Sequence, residues 1–167
     1  MCVADKIAMT EQEKNISTVK TPLIRVLFVC NFNAVRSPMA EFIGKHICGQ
    51  NVQIESVGVD GDLGEVNPFT VSVMNEIGLD ISKHTPKHIN DLENGSYDLI
   101  VTLSPQAHQW AKNYYQNTTI LIENWPTIDP TQSRGNRENI IAAFRSVRDD
   151  LEEKIRNRLL NINDLKG

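Results

Sequence analysis

The residues most able to do chemistry together are Cys30-Asn31-Phe32-Asn33-Ala34-Val35-Arg36-Ser37, a C-x5-R-S spacing. A turn of that length leading into a helix wraps its backbone N–H groups around a tetrahedral oxyanion, and the helix dipole adds to the attraction. Arg36 contributes a planar fork that matches two oxygens of a phosphoryl group, which lysine could not match. The same field favours thiolate over thiol at Cys30. A thiolate beneath a cradled phosphate is set for in-line attack. The Ser37 hydroxyl can donate to the sulfur and steady it both as nucleophile and as leaving group. Asn33, short and tolerant of left-handed backbone, suits the tight point of the loop. Asn31, Phe32, Ala34 and Val35 complete the phosphate-binding cradle.

Thiolate attack expels an alkoxide or phenoxide, so the chemistry needs a proton donor. Asp129, in Trp125-Pro126-Thr127-Ile128-Asp129-Pro130, fits that role, and the proline after it restricts its backbone to an extended form. The other cysteines are not matched this way. Cys48 closes a helical segment with no cation-rich loop around it and is expected to be a structural thiol. Cys2 lies in a polar N-terminal stretch and is incidental. No Cys or His pair has zinc spacing, so neither metal nor cofactor is expected.

The elements around these residues alternate. Leu23–Cys30 (LIRVLFVC) is a near-continuous apolar run, the pattern of a strand buried on both faces. A helix follows from about Arg36, with Met39, Phe42, Ile43 and Ile47 at helical spacing. Further strands are expected at Val52–Val57, Asp98–Leu103 and Thr119–Glu123. Helices are expected at Pro68–Ile77, stopped by Gly78, and from Pro105 to about Gln116. Ile140, Phe144, Val147, Leu151, Ile155 and Leu159 form the apolar stripe of a long final helix. This is an α/β pattern with a parallel sheet covered on both faces. Ligands bind beyond the carboxyl ends of such strands, where Cys30 sits. Residues 1–22 read as a flexible extension and 23–167 as a single domain.

The chain has 167 residues with net charge −4, of ordinary globular composition. It lacks the clustered positive charge of a nucleic-acid binder, and no apolar run approaches the roughly 18 residues of a membrane span. Three scattered cysteines form no disulfide framework, and a reducing cytoplasm is the expected setting.

VLFVCNFNAVRSPMAE, with the late Asp-Pro loop and long final helix, resembles the low-molecular-weight protein tyrosine phosphatases, whose fold also serves some arsenate reductases. The resemblance runs from about Leu23 to the final helix. It implies a three-layer, flavodoxin-like fold with a four-stranded parallel sheet in the order 2-1-3-4 and a phosphate-binding loop after the first strand. It also implies a cysteinyl-phosphate intermediate. Cys30 matches the nucleophile, Arg36 the phosphate clamp, Asp129 the general acid, and Ser37 and Asn33 the loop-supporting pair. Ser56 and His84 look like the serine and histidine of the hydrogen-bond network behind the loop. His46, His88 and His108 match no motif and are expected at the surface.

The chain departs from the family pattern at three places. Val35 stands where a second, protective cysteine is common. Thr131 replaces the usual aromatic after Asp-Pro. Val59–Leu63, expected to form another cleft wall, carries two acids and no aromatic, leaving Phe32 and Trp125 to compensate. The leading expectation is a metal-independent phosphatase acting on phosphorylated protein or small aryl phosphates and releasing inorganic phosphate. The second is an arsenate reductase resolved by an external thiol, since Ser104–Asn117 holds no resolving cysteine. The third is a non-catalytic oxyanion-binding module.

Overall fold

A computed structural model describes residues 23–93, 95–162 and 165. The expected extension, residues 1–22, lies outside them. The strands are β1 (Ile24–Cys30), β2 (Val52–Gly58), β3 (Leu99–Thr102) and β4 (Leu121–Asn124). They pair in parallel in the order β2-β1-β3-β4. The helices are α1 (Arg36–Cys48), α2 (Pro68–Asn75), α3 (Pro105–Tyr114) and α4 (Arg137–Leu159).

Strand alternation divides the core. From β1, Val26 and Phe28 face a cluster containing Met39 and Ile43 of α1, Val73 and Met74 of α2, and Phe144 and Leu151 of α4. Leu27 and Val29 face the opposite cluster, where Ala107 and Ala111 bring α3 close to the sheet. The result is the three-layer, doubly covered α/β sheet of the flavodoxin-like type, as expected from the sequence.

Some readings of the sequence change. The expected strand at Thr119–Glu123 shifts to Leu121–Asn124 and is a half-exposed edge rather than a buried strand. In α4 the stripe stands as expected, with Ile140 half-buried against the core, but Ile141 and Arg148 are buried beside it. Arg148 donates to the Val73 carbonyl at 2.8 Å and to Glu76 at 2.8 Å, tying α4 to the end of α2. His88 and His108 are also half-buried rather than superficial. One ring nitrogen of His88 accepts from the Asn90 N–H at 3.1 Å, and His108 bonds the Thr102 hydroxyl at 3.1 Å. His46 is exposed, as expected. Among the described residues no helix is long and apolar enough to cross a membrane.

Candidate active site

The cradle leaves the carboxyl end of β1 and turns into α1. Asn33, at φ +54°, is the one non-glycine residue with positive φ among those described, so the tight point falls where the sequence places it. No side chain caps α1 and no acid occupies its first turn, leaving that end open to an anion. The loop rests on the end of β2. Val59 N–H donates to the Cys30 carbonyl at 3.0 Å and Asp60 N–H to the Asn31 carbonyl at 2.8 Å. This approach requires glycine at 58. A Cβ there would lie 2.6 Å from the Asn31 oxygen, 2.9 Å from the Asn33 nitrogen and 2.9 Å from the Phe32 carbonyl carbon.

Cys30 is buried, with Sγ 2.8 Å from Ser37 Oγ and accepting the Asn33 N–H at 3.3 Å. Ser37 Oγ accepts from Asn33 Nδ2 at 2.7 Å, and its nearest acceptor is the sulfur rather than the Val57 carbonyl at 3.4 Å. The hydroxyl is therefore arranged to donate to a thiolate. Asn33 Nδ2 also donates to Ser56 Oγ at 2.9 Å, and Ser56 donates to Glu41 Oε1 at 2.7 Å. Glu41 Oε2 accepts from Lys45 Nζ at 2.7 Å.

On the other side, Asn33 Oδ1 accepts the Lys87 N–H and meets His84 Nε2, both at 2.9 Å. A backbone amide only donates, so Oδ1 is the oxygen and His84 must carry its proton on Nε2. Burial draws the half-buried imidazole toward its neutral form, and the nearby Glu41 carboxylate opposes that shift. The structure thus brings Cys30, Asn33, Ser37, Ser56 and His84 into one network.

Glu41 was missed by the sequence reading. Its signal was an acid on the packed side of α1, four residues before a lysine.

Arg36 is buried, its Nη1 donating to the Thr127 carbonyl at 3.1 Å. Asp129 Oδ2 lies 3.9 Å from Arg36 Nη2. Asp129 Oδ1 accepts both the N–H of Thr131 at 3.0 Å and its hydroxyl at 2.6 Å. One carboxylate oxygen is thereby occupied, and the other is directed toward the arginine. Cys30, Phe32, Ala34, Val35, Arg36, Asp129 and Thr131 line one cleft of about 420 Å³.

Its far wall is Gly64–Pro68, so the expected wall at Val59–Leu63 is corrected. The Asn67 N–H donates to the Ala34 carbonyl at 3.0 Å, which holds the later segment against the cradle. Trp125 does not line the cleft. It packs edge-on against Phe28 at 5.9 Å. Cys48 is buried at the far end of α1, about 18 Å along the helix from Arg36 at 1.5 Å per residue. Among the described residues no three His, Cys, Asp or Glu side chains converge as a metal site.

Comparison with known proteins places the chain in a family. Residues 25–166 match the model of the low molecular weight phosphotyrosine protein phosphatases. An arsenate reductase of Shouchella clausii is 34% identical over 133 residues, covering 78% of this chain and 91% of that protein. A glutaredoxin arsenate reductase of Synechocystis is 28% identical, covering 83% and 98%. The crystal structure of a low molecular weight protein tyrosine phosphatase from T. tengcongensis superposes with a TM-score of 0.65 at 25% identity, covering 80% of this chain and 95% of that one. With the match spanning the sheet, the cradle and the final helix, the chain belongs to the low molecular weight phosphotyrosine protein phosphatase family.

Proposed function

We propose that this chain hydrolyses phosphomonoesters, with phosphotyrosine in a protein or a small aryl phosphate as substrate, through a cysteinyl-phosphate intermediate. The observation that carries the reading is the shared cleft of Cys30, Arg36 and Asp129, with an Asp129 oxygen 3.9 Å from the phosphate-clamping guanidinium. Binding an oxyanion needs no proton donor, whereas cleaving an ester does. The Cys30 thiolate attacks phosphorus as Asp129 gives its proton to the departing oxygen. Backbone N–H groups and Arg36 hold the equatorial oxygens. Asp129, now ionised, takes a proton from water as that water displaces the sulfur, and inorganic phosphate leaves. Ser37 supports the sulfur in both steps. Phe32, 43% exposed on the cleft, is the aromatic surface among the lining residues for an aryl group. A chemistry resting on a reduced thiol suits the cytoplasm.

The names of the curated relatives favour a second reading, arsenate reduction. Val35 and the distant Cys48 leave no resolving thiol beside Cys30 among the described residues, so that reaction would need an external thiol. Purified protein assayed with p-nitrophenyl phosphate, and separately with arsenate plus glutathione, tests both. We expect p-nitrophenol release. Arsenite formation without ester hydrolysis would replace the first reading with the second, and neither activity would leave an oxyanion-binding module.

A further inference from the structure

Besides the contacts of Arg36 with Thr127 and Asp129, the ties on the cradle described so far come from α1, β2 and the segment carrying His84 and Lys87. One comes from the opposite side of the sheet. Ser104 Oγ lies 2.6 Å from Asn31 Oδ1, and Ser104 is 2% exposed. The same oxygen caps α3 by accepting the Ala107 N–H at 3.2 Å. The Asn31 amide oxygen can only accept, so the single hydroxyl proton of Ser104 goes to it. Ser104 is itself rigidly placed. Leu103 N–H donates to the Val29 carbonyl at 2.9 Å, extending the ladder between β3 and β1 to the residue before the nucleophile. Asn31, next to Cys30, is thus held through its carbonyl by Asp60 and through its side chain by Ser104.

We infer that Ser104 is a positioning residue for the cradle, fixing Asn31 and through it the leading edge of the loop in the geometry that binds the phosphoryl group. The inference rests on the cradle reading of the site, and it assigns Ser104 a task that capping α3 does not require. Catalytic geometry is sensitive at this level, since displacements of about 1 Å cost up to about a hundredfold in rate.

The test uses inorganic phosphate as probe, measured by titration calorimetry on the wild type, Ser104→Ala, Asn31→Ala and the double variant. Melting temperature and kcat/KM for p-nitrophenyl phosphate are followed alongside. Each single variant is expected to weaken phosphate binding about tenfold, on the scale of such misplacements. The double variant is expected to bind no more weakly than the weaker single one, because both substitutions break one link. The melting temperature falls mainly where the cap is lost, in the Ser104 variants. A Ser104→Ala protein that melts lower yet binds phosphate and turns over normally would overturn the inference, as would losses that multiply in the double variant. If Ser104→Ala does not fold, Asn31→Ala, which keeps the cap, breaks the same bond from its other end, and unchanged affinity there overturns it equally. Phosphate binding without hydrolysis in the wild type would remove the phosphatase reading while the affinities still decide Ser104. A wild type that binds no phosphate would overturn both.

Discussion

Cys30→Ser keeps the backbone nest and Arg36 but replaces a thiolate by a hydroxyl at its ordinary acidity. Turnover should fall at least about a thousandfold while phosphate binding remains measurable by calorimetry. Arg36→Lys removes the two-pronged contact and should cost about 10²–10³ in kcat/KM. Asp129 is tested through the leaving group. Asp129→Asn should slow p-nitrophenyl phosphate modestly and phosphotyrosine or an alkyl phosphate much more, because the missing proton matters in proportion to the basicity of the departing oxygen. Thr131→Val keeps the N–H bond to Asp129 and removes the 2.6 Å hydroxyl bond. It should reproduce that leaving-group dependence in weaker form. Equal losses across leaving groups in both variants would mean that Asp129 only shapes its loop. Thr131 bonds Asp129 where the family resemblance implies an aromatic, so under the proposed function the surface for an aryl group is Phe32 on the cradle itself.

Between elements, a tight backbone tolerance sets β2 against the cradle. Gly58→Ala places a methyl 2.6–2.9 Å from backbone atoms of Asn31, Phe32 and Asn33, none of which is a flexible side-chain end. The loop must move, so phosphate affinity and kcat/KM should drop by as much as about a hundredfold, with a smaller change in melting temperature. Wild-type activity in that variant would show that the cradle tolerates displacement. This contact also marks the limit of sequence reading. The strand-loop-helix unit around Cys30 was legible because its signals are local: an apolar run, a C-x5-R-S spacing, a proline in the first turn. Asn33 was legible because few residues adopt positive φ. The wall at Gly64–Pro68, the buried Glu41 and the Ser104 tie were not, because each depends on how separate segments meet in space. Ile140 and Ile141 are adjacent isoleucines, and only the packing of α4 against the rest of the fold decides which of them is buried.

Across the whole molecule, α4 closes the fold and braces α2, which begins at the end of the cleft wall. Glu76 receives Arg145 at 2.6 Å and Arg148 at 2.8 Å. The hydrogen bond from Arg145 is the main reason its carboxyl is held down to about 2, with Arg148 adding to the effect and desolvation opposing it. A carboxyl depressed below its unfolded value near 4.3 stabilises the fold fully above that value and loses its contribution as pH falls through about 2. Chemical denaturation should therefore find Glu76→Gln less stable than the wild type at neutral pH, with the gap closing between about pH 4 and pH 2. A gap independent of pH would mean that the pair acts by packing alone.

The central claim is that phosphoryl transfer passes through the Cys30 sulfur. Rapid acid quench during turnover of p-nitrophenyl phosphate by Asp129→Asn, in which the second step also lacks its base, followed by peptide mass spectrometry, tests it directly. The predicted result is a phosphoryl group on the peptide carrying Cys30, absent from Cys30→Ser. Substrate hydrolysis with no adduct at Cys30, or an adduct on another residue, would contradict the account.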